Sequence, residues 1–279
     1  VTVVAVLGRG VVPADTPVLR ADDLAAVRGD GVFETIHLRS GSLWQLDAHL
    51  DRMARSAELL EIALPARSAL AGLAAEAIAE WPRDAEGALR LACSRGTESG
   101  GPPTVWVTLT GIKPGQLRGR REGVAVRTLS LGYPVDARSA LPALLAGAKT
   151  LSYAVNMACQ RWAAAEGADD VLWVSGDGYA LEGPTSTLVW LTDGVLCTVP
   201  PASTGILAGT TAAYLLANAG ELGWTATERL VRPADLHTAD GVWLTSSVRG
   251  PAEIRALDGV PLGPSPETAR IAKLLGFPL

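Results

Sequence analysis

The run from residue 169 to 200, "DDVLWVSGDGYALEGPTSTLVWLTDGVLCTVP", limits the fold more than any other stretch of this chain. Short segments rich in Val, Leu, Trp and Tyr are cut at close intervals by "GDG", "PTS" and "DG", turn chemistry that sends a strand back beside its predecessor. No segment is long enough for a helical period to develop. The reading is a β meander, "DVLWVS", "YALEG", "TLVWLT" and "VLCTVP", at the centre of the second half. Helices flank it. "YAVNMACQRWAAAEG" precedes it and is closed by Gly167; "GTTAAYLLANAGELG" follows, with Thr at its start and Gly at its end. Strand "GVWLTSS" comes next, and Ser265, Pro266 and Gly276 bracket a terminal helix.

The first half is built differently. "TVVAVLG", "GVFETIHLRSG" and "SLW" read as strands, followed by helix "LDAHLDRMARSAELL", where Leu46, Leu50, Met53, Ala57 and Leu60 recur at steps of three and four and Asp47 is the expected N-cap. A second helix, "RSALAGLAAEAIAEW", stops at Pro82, and strands "GALRLACSRG" and "PTVWVTLTG" complete this part. Between the halves, "GIKPGQLRGRREG" mixes Gly, Pro and charge without an apolar period and reads as an exposed connector. The expected organisation is α/β (α+β) in two domains, a smaller one over residues 1–119 and a larger one over 120–279, with strand "VAVRTLSL" opening the second.

A formal charge of −5 leaves no phosphate-tracking surface, and the basic cluster "RGRR" sits beside Gly and Glu122, so no nucleic-acid partner is expected. The 3 cysteines are widely spaced and odd in number, which argues against a disulfide framework and for a cytoplasmic location. No apolar run reaches the length of a membrane span, and "VTVVAVLGRGVVP" lacks the basic flank of a signal peptide. His37, His49 and His237 fall in no ligand spacing, so no metal is expected.

Lysine is scarce. Of 24 cationic Lys and Arg positions, only Lys113, Lys149 and Lys273 are lysine. Lys149 lies in "LLAGAKTLSYAVNMA", among small and apolar neighbours. Its stem could lie on an apolar surface with the head in water. Alternatively, partial burial could hold it toward the neutral amine that attacks a carbonyl, which an arginine cannot become. Two other features would suit an anionic, carbonyl-bearing cofactor. Glu182 stands at the end of a meander strand, where alternation turns it to the covered side; Gly209, Thr210 and Thr211 open a helix whose free N–H groups favour a phosphate. Taken singly, these are also an ordinary ion pair and ordinary capping residues.

Their order along the chain carries more. With "RGDGVFET", "LDAHLDRM", "GAKTLSYAVN", "DDVLWVSGDGYALEG", "GILAGTT" and "ADGVWLTSS", the sequence resembles the fold-type IV pyridoxal-phosphate enzymes, which include branched-chain and D-amino-acid aminotransferases and aminodeoxychorismate lyase. The resemblance implies a D-amino-acid-aminotransferase-like fold with pyridoxal 5′-phosphate between two domains, a homodimer, and a small-molecule amine as substrate. It makes Lys149 the Schiff-base lysine and proton shuttle, Glu182 the partner of the pyridine nitrogen, and Arg52, Thr210, Thr211 and Ser247 the phosphate holders. His49 is expected to pack rather than react.

The same resemblance bears on substrate. D-Amino-acid aminotransferases hold the substrate carboxylate with a Tyr before the Glu of this segment and an Arg and His after "RGT". Here Phe33 precedes Glu34, and "ESGGPP" follows Arg95, Gly96 and Thr97, so that trap is missing. The implied activity is therefore a lyase that releases pyruvate and 4-aminobenzoate from aminodeoxychorismate, with an aminotransferase acting on D-amino or branched-chain amino acids as the alternative. Phe33, Arg95 and Arg249 are the candidate substrate contacts. Thr187 stands where many relatives have Asn, and Ala212 where an Arg is frequent, and both departures bear on substrate orientation.

Overall fold

The structure, a computed structural model, describes residues 1–277. It divides into two compact units: the first comprises Val1–Lys113 and Ala148–Tyr153, the second Pro114–Gly147 and the chain from Ala154 onward. The change of unit falls after Lys113, six residues before the expected boundary at 119, and the short segment around Lys149 packs with the first unit.

In the first unit, β1 (Thr2–Val6), β2 (Gly10–Val12), β3 (Gly31–Arg39), β4 (Ser42–Leu43), β5 (Gly87–Ser94) and β6 (Val105–Thr110) form a six-stranded sheet in the order β2-β1-β6-β5-β3-β4. Every pairing in it is antiparallel. A short helix α1 (Leu24–Arg28) precedes β3; α2 (Leu46–Leu59) and α3 (Arg67–Ala79) follow β4. Alternation along β3 sends Val32, Ile36 and Leu38 into one apolar core with Leu50, Met53 and Ala57 of α2 and Leu70, Leu73 and Ala77 of α3. Met53 is fully buried there, and truncating it to Ala would cost about 2–5 kcal/mol. The other register of β3 and β5 carries Phe33, Thr35, Arg90 and Ala92, with Phe33 opposite Ala92 and Thr35 opposite Arg90. Asp47 does not cap α2. Gln45, in a left-handed conformation, precedes the helix, while Asp47 and Asp51 both pair with Arg67 of α3. A cross-helix arginine competes for that carboxylate, a partner the local sequence could not reveal.

The second unit holds α4 (Pro114–Glu122), β7 (Val124–Ser130), α5 (Ala137–Ala140), α6 (Ala154–Ala165), β8 (Asp170–Val174), β9 (Glu182–Gly183), β10 (Ser186–Thr192), β11 (Val195–Thr198), α7 (Pro201–Thr204), α8 (Thr210–Ala217), β12 (Thr225–Glu228), β13 (Gly241–Ser246), β14 (Gly250–Leu257), β15 (Val260–Pro261) and α9 (Thr268–Leu274). Its sheet runs β12-β11-β10-β13-β14-β7-β8, with β15 beside β14 and β9 beside β10. The meander expected over four strands is a ladder across β9, β10 and β11 and narrows to one antiparallel bridge, Val174 opposite Ala180, where β8 meets the segment leading to β9. The longer pairing of β8 is parallel, with β7; on the hairpin side Leu181 N–H donates to the Trp173 carbonyl and Ser175 N–H to that of Tyr179, both at 2.8 Å. Val171, Leu172 and Trp173 are all buried, as in a strand covered on both faces, and an apolar run of that kind does not reveal its neighbour.

The expected connector is also corrected: most of it is α4. Arg120 is buried, donates to the carbonyls of Val248 and Arg249, and stacks on Phe277 at 4.9 Å. A charged segment is thereby fixed by partners more than a hundred residues away, which no local pattern announces. Among the described residues no helix is long and apolar enough to cross a membrane.

Candidate active site

Each unit contains one cluster of candidate residues. In the first, the backbone of Lys149 lies along β3. Its carbonyl accepts the Phe33 N–H at 3.1 Å, Leu151 N–H donates to the Gly31 carbonyl at 2.8 Å, and Thr150 bridges Val32. Gly31 is required at that crossing, since a Cβ there would stand 2.6 Å from both the Cys93 carbonyl and a Leu151 methyl. The Lys149 N–H is taken by Ser56 Oγ of α2 at 3.0 Å.

The side chain of Lys149 is half-buried, with its Nζ 4.6 Å from the centre of the Phe33 ring and 3.4 Å from the Tyr153 hydroxyl. Tyr153 meets Phe33 edge to face, with centroids 5.1 Å apart. A second cation shares the ring: Arg90 Cζ lies 4.6 Å from the Phe33 centroid. The two charges are thus no farther apart than twice that distance. Arg90 reaches solvent, yet the protein around its guanidinium desolvates it enough to lower its pKa. Among the described residues no carboxylate pairs with Arg90. Cationic groups converging on an aromatic surface, one of them without an anion of its own, are suited to an anionic ligand bearing a carbonyl or amine.

Beneath this cluster, Arg52 donates through Nε and Nη2 to the two oxygens of Glu34, at 2.7 and 2.8 Å, and His49 Nδ1 lies 2.6 Å from Glu34 Oε2. Glu34 and His49 are fully buried. Burial alone would raise the Glu34 pKa, but the charge and hydrogen bonds of Arg52, with His49, outweigh it and hold the carboxyl at about 2. Burial pushes the His49 pKa down against the pull of Glu34. The imidazole is therefore neutral, and facing an acceptor-only carboxylate it carries its proton on Nδ1. Arg95, a candidate substrate contact, is turned elsewhere: it forms a two-point pair with Asp30 and donates to the Leu60 and Glu61 carbonyls. That set of partners anchors a loop.

In the second unit, Glu182, Thr187 and Thr245 lie in one row across β9, β10 and β13, because Thr187 is the register partner of both others. Glu182 is buried at 6% exposure. Its carboxylate accepts from Leu207 N–H at 3.1 Å and from Arg138 Nη1 at 3.3 Å. Two residues beyond Leu207, Gly209 crosses Thr187 so closely that a Cβ would stand 2.1 Å from Thr187 Oγ1. Thr210 and Thr211, both buried, open α8 at that point. Glu182 and Gly209, the residue before α8, thus both adjoin Thr187. Ser247 follows directly on β13, two residues beyond Thr245. Arg249 turns to Asp170, with Nη1 2.9 Å from Oδ2.

A family model for class IV amino-transferases matches residues 31–257, a span that contains every residue of both clusters. The chain belongs to the class IV aminotransferase family. It is 44% identical over 267 residues to a bifunctional aminodeoxychorismate lyase / D-amino acid transaminase of Mycobacterium tuberculosis, covering 93% of this chain and 92% of that protein. Among solved structures, the PLP-bound form of a hypothetical aminotransferase from Mycobacterium tuberculosis superposes with a TM-score of 0.94 at 43% identity, covering 99% of this chain and 97% of that one. A form with alpha-ketoglutarate and PMP bound gives a TM-score of 0.95 at 43% identity, covering 98% and 97%.

Class IV membership agrees with the order of motifs, but the sequence does not single out several residues of these clusters, Arg90, Tyr153, Ser56 and Arg138 among them. Arg90 and Tyr153 reach Phe33 and Lys149 only through strand pairing and the placement of residues 148–153. The chain has 21 arginines, and nothing local sets Arg90 apart. Arg138 meets Glu182 from 44 residues away. A signal for Arg90 did exist: β5 alternates, and Arg90 falls on the register of Ala88 and Ala92, which a paired β3 turns to the face carrying Phe33.

Proposed function

We propose that this chain is a pyridoxal-5′-phosphate-dependent enzyme that releases pyruvate and 4-aminobenzoate from 4-amino-4-deoxychorismate and also moves the amino group of a D-amino acid to a 2-oxo acid. The observation that carries this reading is the amine of Lys149 beside Arg90 on one phenyl ring. It supplies a base for an amine-bearing carbon and a cation for the carboxylate such a substrate carries.

The residues present fit the cofactor. A buried carboxylate at Glu182 suits a protonated pyridine nitrogen, and the start of α8, with Thr210 and Thr211 buried there, suits a phosphate. When bound, pyridoxal phosphate supplies a ring that accepts the electron pair left on the substrate carbon. Lys149 would hold the cofactor through Nζ and, as the neutral amine, would move the proton at the substrate carbon. Glu182 holds the proton on the ring nitrogen. Arg52, Thr210, Thr211 and Ser247 hold the phosphate, with the Arg52 guanidinium fixed in direction by Glu34. Arg90 orients the substrate carboxylate, and Phe33 offers an apolar surface to the substrate ring.

The missing loop trap argued against D-amino acids because an unpaired carboxylate is costly to bury. Arg90 supplies a different partner and removes that objection. We also assign the enzyme to the cytoplasm as a homodimer, a state that sedimentation would check. The decisive experiment incubates the cofactor-loaded protein with aminodeoxychorismate, and separately with D-alanine and 2-oxoglutarate. Pyruvate with 4-aminobenzoate in the first and glutamate in the second support the full reading. Amino transfer without elimination removes the lyase half, and neither product removes the proposal.

A further inference from the structure

Ser56 is buried to 1% exposure on α2, and both of its hydrogen bonds are made. Its hydroxyl donates to the Arg52 carbonyl at 3.0 Å and accepts the Lys149 backbone N–H at 3.0 Å. A hydroxyl has a single hydrogen, so donation to the carbonyl one turn back fixes the rotor and aims a lone pair at Lys149. The opposite side of the same residue is held by Phe33, whose N–H meets the Lys149 carbonyl at 3.1 Å. Lys149 is thus gripped from a helix on one side and a strand on the other, although residues 148–153 form no regular element of their own. A lysine amine rides on four flexible carbons, and fixing its peptide is the means the fold has of limiting where Nζ can reach.

We propose that Ser56 is a positioning residue for Lys149, acting through its hydroxyl and not through its volume. This rests on the reading that Lys149 carries the cofactor. Loss of the hydroxyl strands a buried N–H and lets the Lys149 peptide move, so the amine spends less time in reacting geometry. Substrate contacts are untouched, and the effect falls on turnover and on retention of the cofactor.

The test compares Ser56→Ala, Ser56→Cys and Ser56→Thr with the parent enzyme loaded with pyridoxal phosphate. Cysteine fills the space with a somewhat larger, weakly accepting sulfur; threonine keeps the hydroxyl and can make the same bond to the carbonyl four residues back. The readouts are the rate at which the visible absorbance of the lysine-bound cofactor is lost on dialysis, kcat and KM, and thermal unfolding of the cofactor-free chain. Ser56→Ala and Ser56→Cys should lose the cofactor about tenfold faster and drop kcat about tenfold while KM stays within about twofold, and Ser56→Thr should recover most of both. If Ser56→Ala fails to unfold cooperatively, Ser56→Cys decides. Cofactor loss and kcat at parental values in the alanine or cysteine variant would overturn the proposal and leave the cofactor reading standing. A parent enzyme with no visible band would overturn the cofactor reading itself.

Discussion

Both oxygens of Glu34 are engaged by Arg52, in a two-point pair of 2.7 and 2.8 Å, and the carboxylate has no exposure to solvent. A pair so buried gains little net stability over a well-packed apolar alternative, but losing one partner leaves an uncompensated charge inside the protein. Glu34→Gln should therefore destabilise the chain by about 3–5 kcal/mol, read as a lower urea midpoint with unchanged slope. Gln keeps the shape, so a stability equal to the parent would show that the charge is not what orders Arg52.

The same cluster sets a pH dependence. Glu34 has a folded pKa of about 2, depressed from 4.5, so its contribution is present above 4.5 and is lost as pH falls toward 2. His49 is also depressed from its ordinary 6.5, and for a base held neutral the stability is present above 6.5 and lost as pH falls through the lower folded value. Both slopes have the same sign. Unfolding free energy should decline steadily from pH 7 down to about pH 2, and His49→Asn should flatten the upper part of that profile in urea titrations at fixed ionic strength.

Lys149→Arg preserves charge and removes the amine that can lose its proton. Turnover should fall by several orders of magnitude, on the order of 10⁴-fold or more, and borohydride should no longer attach the cofactor to the protein. Peptide mapping after borohydride treatment of the parent should find the modified residue at 149.

For Arg90, replacement by Met should lower kcat/KM for carboxylate-bearing substrates by about 30- to 100-fold, the cost of an unanswered carboxylate. Thermal stability should barely change, because no carboxylate of the described residues pairs with Arg90. Arg95→Met should do the reverse and destabilise the fold, since its partners are Asp30 and two carbonyls. An equal loss of kcat/KM from both variants would contradict the division of roles.

Gly209→Ala places a methyl 2.1 Å from Thr187 Oγ1 and must push the α8 start away from β10. Pyridoxal phosphate should bind about tenfold or more weakly, measured by fluorescence quenching. Adding Thr187→Ala removes the obstructing hydroxyl and should restore part of the affinity, a coupling expected of side chains in contact.

What the sequence by itself determined was local. Alternation and turn residues placed the strands, three- and four-residue steps placed α2 and α3, and a lysine among small and apolar residues singled out Lys149 as the proposed cofactor-bearing position, since each of these depends on neighbours within a few residues. Tertiary structure alone decided that the strand before Glu182 runs parallel to β7, that the charged connector is a helix locked by Arg120, and that residues 148–153 lie along β3. It alone placed Arg90 and Tyr153 at the Phe33 ring and Ser56 on the lysine's peptide. Those are contacts between residues far apart in the chain, fixed by hydrogen-bond registry and close packing, and neither has a local signature.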